Sequence, residues 1–162
     1  MRPARHSGGM AAGREYRDIE TREDCERLVR AFYTRALGDP LIGWIFTDVA
    51  RLDLEAHVPR ITSFWQTVLL GEKTYNGGAF GPHAHLHERV ELKRGHFDRW
   101  LQLWFGTVDE LFAGETADLA KVHALRVASA FHTRLQSFPS PADPVPLPGA
   151  AGIVVTRHGP GD

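Results

Sequence analysis

The stretch "TREDCERLVRAFYTRALGD" (Thr21–Asp39) contains both the start and the stop of a helix. Thr21 stands at the N-cap position, Glu23 and Asp24 follow where negative charge suits the helix dipole, and Gly38 closes the segment. Between them Cys25, Leu28, Val29, Phe32, Tyr33, Ala36 and Leu37 recur at the three-four spacing of one buried face. A helix with so apolar a face must pack against others.

The neighbouring segments supply them. "DLEAHVPRITSFWQTVLLG" (53–71) places His57, Ile61, Phe64, Trp65, Val68 and Leu69 on one broad stripe. Pro59 lacks an amide donor and crowds the preceding turn, so a kink or a helix start is expected near it. "PLIGWIFTD" (40–48) reads as a short aromatic connector, and "GEKTYNGGAFGP" (71–82), with four glycines, as a loop. A short helix or turn with His83, His85 and His87 follows. Two further helices are expected in "GHFDRWLQLWFGTVDELFAG" (95–114) and "TADLAKVHALRVASAFHTRLQSF" (116–138), with Gly114 between them and Thr116 as the cap of the second. No strand pattern or internal repeat is evident, and the fold class is all-α.

Length and composition suit one domain: 162 residues, of which 43% are hydrophobic, can fill a single core. The 19 basic and 20 acidic side chains nearly cancel, which gives no footprint for nucleic acid and no acidic tail. Cys25 is the one cysteine, so neither a disulfide framework nor a cysteine zinc site can form within the chain. Residues 1–16 lack hydrophobic periodicity and read as a flexible tail with no apolar core of a secretory signal; Met10 is a candidate initiator. Residues 139–162 form a second, Pro/Gly-rich tail, with five of the ten prolines between Pro139 and Pro148 and a short "GIVV" island that is a weak strand candidate. The globular domain is assigned to 17–138. No run approaches a membrane helix, and a cytoplasmic, monomeric or weakly dimeric protein is expected.

Three histidines at alternate positions suggest a metal site, but a zinc cage needs a converging further ligand. A non-heme metal protein using His83, His87 and either His57 or His123 is one reading; the lack of a carboxylate motif at fixed spacing counts against it. A plain helical interaction domain is another. The chain has no GxSxG, reactive-cysteine context or phosphate-binding loop, and Asp53, Glu55, Glu88 and Glu91 read as solvated. More informative are Tyr33, His57 and Trp100, polar-tipped residues on otherwise apolar faces of three different helices. Each needs a partner when buried, and a bound ligand would serve all three.

In order and spacing, "AFYTRALGDPLIGWIF", "HVPRITSFWQTVLLGEKTYNG" and "HFDRWLQLWFGTVDELFAG" resemble the group III (P-type) truncated hemoglobins of bacteria, over about residues 28–136. Each motif alone is modest, and the ordered set is specific. The resemblance implies a truncated globin fold, a two-over-two helical sandwich enclosing heme b. It assigns Tyr33, His57 and Trp100 to the distal pocket around the bound gas. It also puts Phe32, Phe46, Ile61, Phe64, Trp65 and Phe97 against the heme. Phenol O–H and indole N–H groups in a dry pocket stabilise charge that builds on a bound small ligand.

The proximal histidine is His83 when the family's spacing is counted forward from "YNG", and His87 when it is counted back from "HFDRW". His85, Arg60 and Arg89 are candidates to meet the propionates. The implied function is binding of dioxygen or another small ligand (carbon monoxide, nitric oxide, peroxide, sulfide) at five-coordinate iron. Redox chemistry, sensing or detoxification fits so donor-rich a pocket better than bulk oxygen transport. Peroxidase-like or nitric-oxide-dioxygenase-like activity would imply a reductase partner.

Overall fold

A computed structural model describes residues 15–141. The helices are α1 (Arg22–Leu37), α2 (Leu54–Leu70), α3 (Phe80–His87), α4 (Arg94–Leu111) and α5 (Glu115–Leu135), with a π-helical turn at Ile45–Val49 between α1 and α2. No strand occurs among the described residues. The tails at 1–14 and 142–162, with Met10 and "GIVV", lie outside them.

The α1 start is a capping box. The Asp24 amide donates to Thr21 Oγ1 at 3.1 Å, while Asp24 Oδ2 accepts from the Thr21 and Glu20 amides at 3.1 and 2.8 Å. Burial alone would raise the Asp24 pKa. The Arg17 guanidinium and the two amides outweigh that and hold it below the usual carboxylate value. From this fixed start, Cys25, Leu28, Val29, Phe32 and Ala36 are turned into the core.

Pro59 neither starts nor ends α2. The helix begins five residues earlier at Leu54, capped by Asp53, whose Oδ1 accepts from the Ala56 amide, and it stops at Gly71 in the left-handed conformation (φ 78°). The proline forfeits one bond, to the carbonyl of Glu55, and Glu55 is exposed, so water can serve that oxygen. Arg22 adds a tie from α1, donating to Ser63 Oγ at 3.0 Å, Gln66 Oε1 at 2.8 Å and the Pro59 carbonyl at 3.3 Å.

Helix α1 packs on α2 and α4, and α5 packs on α4 and α2, so two helix pairs cross. Trp104 sits at their centre, stacked between Trp65 (4.5 Å, 21°) and Trp100 (5.9 Å, 5°), with Phe32 edge-on at 5.4 Å. Its indole N–H donates to the Ala120 carbonyl at 3.2 Å. That reach is possible because α5 presents Ala117, Ala120, Ala124 and Ala128 inward, letting the two backbones approach.

The cap of α5 differs from expectation. The helix begins at Glu115 behind Gly114, and the capping side chain is Asp18, from the other end of the domain. Its two oxygens accept from the Thr116 and Ala117 amides at 2.9 and 2.8 Å. Gly114 is held at φ 141°, and a Cβ there would run into the Asp18 carboxylate, so glycine is needed for both reasons. Asp18→Ala is therefore expected to lower the unfolding free energy by about 1–2 kcal/mol in chemical denaturation. Gly114→Ala should also destabilise, but less in the Asp18→Ala background than alone. Strict additivity of the two would show that the carboxylate is not what excludes a side chain at Gly114.

Candidate ligand-binding site

A cavity of about 240 Å³ opens between the helices. In the same measure one water needs roughly 10–15 Å³, so this is space for a sizeable ligand. Every element contributes to its wall. Tyr33 comes from α1; Ile42, Ile45 and Phe46 from the connector; His57, Ile61, Phe64 and Trp65 from α2; Pro82, His83 and Leu86 from α3. His96, Phe97 and Trp100 come from α4, and Val127, Ala128 and Phe131 from α5. The lining is mostly apolar with a few convergent polar groups, as ligand sites usually are.

The polar groups form a defined set. Tyr33 Oη lies 2.7 Å from His57 Nε2, with the two rings nearly perpendicular. Burial pushes the Tyr33 pKa well above the ordinary phenol value. The His57 pKa falls to about 4, first by burial, then by the positive charge of Arg60, and by repulsion from His83 when that ring too is protonated. At neutral pH the phenol thus keeps its proton and the imidazole is neutral, so the two share one hydrogen bond whose direction follows the imidazole tautomer. Phe46 packs edge-on to the Tyr33 ring at 5.8 Å. The Trp100 ring is fixed by the stack on Trp104 and by Phe32 at 5.8 Å.

The histidine run divides by role. His83 lines the cavity, and its Nδ1 lies 2.8 Å from the Ala79 carbonyl. A carbonyl only accepts, so Nδ1 carries the proton and Nε2 is left with a free lone pair. Desolvation lowers the His83 pKa, and the backbone bond to Ala79 only partly opposes this, so the ring is neutral near pH 7. Thr62 Oγ1 is the one sealed, unpartnered side-chain polar atom among the described residues; Nε2 of His83 and Nε1 of Trp100 therefore remain accessible.

His87 is buried but faces elsewhere. Its Nδ1 accepts from the Leu92 amide at 3.0 Å, pinning the turn after α3, and it does not line the cavity. His85 is exposed, with Glu88 at 4.0 Å. His83 and His87 both lie within α3, which ends at His87, yet only His83 is part of the cavity wall.

Other expected residues are placed as follows. Phe46, Ile61, Phe64, Trp65 and Phe97 line the cavity. Phe32 does not; it is buried behind Tyr33 and Trp100 and buttresses both. Arg60 is exposed but close enough for its charge to act on His57 and Tyr75, whereas Arg89 is exposed and is not part of the wall. His57, His83, His87 and His123 do not form a metal cage: among the described residues no group of three or more His, Cys, Asp or Glu can hold a metal ion. That overturns the non-heme metal reading.

Sequence reading missed the wall contributed by α5, because Val127, Ala128 and Phe131 look like ordinary core. It also missed Asp39, whose buried carboxylate accepts from Arg99 Nε and Nη2 at 2.9 and 2.6 Å and from the Leu41 and Ile42 amides at 3.0 and 3.1 Å. That joint fastens the connector bearing Ile42, Ile45 and Phe46 to α4. The signal was faint: an aspartate just past a helix end, and an arginine beside Trp100.

The architecture is an all-α truncated globin fold. The chain is 27% identical over 119 residues to a group 3 truncated hemoglobin of Campylobacter jejuni, covering 72% of this chain and 91% of that one. The crystal structure of the group III truncated hemoglobin from Campylobacter jejuni superposes with a TM-score of 0.65 at 26% identity, covering 75% of this chain and 95% of that chain. No family model matches. The resemblance to group III truncated hemoglobins read from the motifs thus holds in sequence and in fold. Among the described residues no helix is long and apolar enough to cross a membrane.

The neutral His57 has a stability consequence. Its pKa is about 4 in the folded chain against an unfolded value near 6.5, so between these pH values the unfolded state binds more protons. Stability is fully present above about pH 6.5 and falls as pH drops toward 4. After discounting for partial solvent exposure the loss is on the order of 1–2 kcal/mol. Denaturation of the ligand-free chain at pH 7 and pH 4.5 should show a smaller difference for His57→Gln than for the parent. An equal difference would remove His57 as a source.

Proposed function

We propose that the cavity holds heme b with His83 as the axial ligand to iron, and that the protein binds dioxygen or another small ligand there. One observation carries this reading. A neutral imidazole with Nδ1–H tied to a backbone carbonyl and Nε2 free is supplied by α3, and the polar groups of Tyr33, His57 and Trp100 by α1, α2 and α4. The donor set fits the group: globin heme takes one neutral histidine, and a hydrogen bond from its other nitrogen fixes tautomer and orientation. The aromatic and aliphatic lining suits the faces of a porphyrin. The homologues, being hemoglobins, imply a heme cofactor.

Heme supplies an iron centre that takes up diatomic and peroxide-like ligands. The chain supplies the surroundings. Tyr33 is held protonated and aimed by Phe46 and His57; turning its O–H from His57 Nε2 to a bound ligand exchanges one acceptor for another. Trp100 offers an N–H that no described residue occupies, at a position fixed by stacking. His57, neutral at pH 7, takes back the tyrosine hydrogen bond when the ligand leaves. Arg60, exposed and close enough for its charge to act on His57, would meet a heme carboxylate.

Such a pocket favours retention and polarisation of a ligand over its rapid exchange, so chemistry on peroxide, nitric oxide or sulfide, or sensing, suits it better than bulk oxygen transport. Turnover would require electrons from a reductase.

Titration with hemin should give a stoichiometric complex with a sharp Soret band that shifts on adding carbon monoxide to the reduced form. A hemin spectrum unchanged by the protein would overturn the proposal. His83→Gly should lose the five-coordinate ferrous spectrum and regain it with added imidazole, while His87→Gly keeps the spectrum and loses stability. Tyr33→Phe should speed oxygen release about tenfold or more, because a hydrogen bond to a charged acceptor is worth roughly 1.5–3 kcal/mol; an unchanged rate would take Tyr33 out of ligand binding.

A further inference from the structure

Helix α3 has eight residues, no side-chain N-cap, and Gly81 and Pro82 within it, so it has little intrinsic tendency to hold its shape. Yet it carries His83, whose orientation matters most. What holds it is α5, the helix it packs against. The Phe131 ring meets the His83 imidazole edge-on at 4.9 Å and 63°. Phe131 is itself set against Phe80 of α3 at 5.4 Å and 82°. Phe80 is braced on its remaining sides by Phe138 at 5.3 Å and by the Arg134 guanidinium 4.0 Å above its ring.

One hydrogen bond to the Ala79 carbonyl favours the Nδ1–H tautomer only while the imidazole stays in line with it; a ring that swings away loses the bond and the tautomer preference with it. A flat ring against its edge removes that freedom.

We propose that Phe131 is the positioning residue for His83: braced by Phe80, Phe138 and Arg134, it fixes the imidazole's rotation so that Nε2 presents to the cavity in a single orientation. This rests on the reading of His83 as the axial ligand, and it assigns the end of α5 a part in setting the iron–histidine bond. An aromatic ring is needed at this position, because an aliphatic side chain of similar volume fills the space without defining a plane.

The test compares the parent with Phe131→Leu, Phe131→Tyr and Phe138→Ala, with Leu125→Ala on the exposed face of α5 as a control. In the reduced, hemin-loaded protein the iron–histidine stretch is read by resonance Raman. The parent and Phe131→Tyr should give one narrow band. Phe131→Leu should broaden it and move it, Phe138→Ala should move it less in the same direction, and Leu125→Ala should leave it unchanged. In the full chain without hemin, imidazole ¹⁵N shifts report the His83 tautomer. The single Nδ1–H form expected in the parent should give way to a mixture in Phe131→Leu.

Parent-like readings in both measurements for Phe131→Leu would overturn the proposal, as would equal disturbance by Phe131→Tyr. If the parent takes up no hemin, the proposed function fails, and the ¹⁵N measurement still decides whether Phe131 orients His83. If Phe131→Leu loses its helical circular dichroism, Phe138→Ala decides: a parent-like band and tautomer there would also overturn the proposal.

Discussion

The stack of Trp65, Trp104 and Trp100 is the contact on which the rest of the domain depends. Trp104 lies between indoles from α2 and α4, carries Phe32 of α1 on its edge and donates to a carbonyl of α5, so one side chain touches all four large helices. Stacked and edge-on aromatics bury much area at small entropic cost and prefer particular angles. The angles matter here, because Trp65 and Trp100 are also cavity wall. A rigid stack behind them keeps the space open where a looser core would collapse.

Keeping it open is expensive for a small chain. Empty space of this size forfeits packing contacts in a domain whose total stability is about 5–15 kcal/mol. The structure meets that cost with polar joints at the periphery. Asp18 caps α5 from 98 residues away, Asp24 gathers Arg17 and two amides at the start of α1, and Asp39 binds Arg99 and the connector. Each is an acidic side chain accepting several donors, and for Asp24 and Asp39 these lower the pKa despite burial. A ligand that fills the cavity would return the lost contacts and so stabilise the fold.

Much of this was legible beforehand. Thr21, the apolar stripe of α1 and Gly38 fixed the first helix because capping and periodicity are local. Tyr33, His57 and Trp100 could be singled out because a polar tip on an apolar face is anomalous wherever the face is turned. The helix start allowed at Pro59 and the cap expected of Thr116 failed for the opposite reason: the helix begins upstream and runs through Pro59, where the exposed Glu55 carbonyl can be served by water, and a remote carboxylate does the capping expected of Thr116. Phe131 and Asp39 left no distinctive local mark.

The sequence by itself determined the helices, their buried faces and the polar-tipped trio of Tyr33, His57 and Trp100, since these follow from spacing along a regular backbone. What separates His83 from His87 is visible only in the tertiary structure, where His83 lines the cavity and His87 does not. At four residues apart they are equivalent on a helical wheel, and nothing local separates them. The difference arises where α3 stops: the chain turns back, the Leu92 amide claims Nδ1 of His87, and His83, one turn earlier and tied to Ala79, keeps a nitrogen free for the cavity. Which imidazole has a lone pair to offer depends on which hydrogen bonds the returning chain has already made.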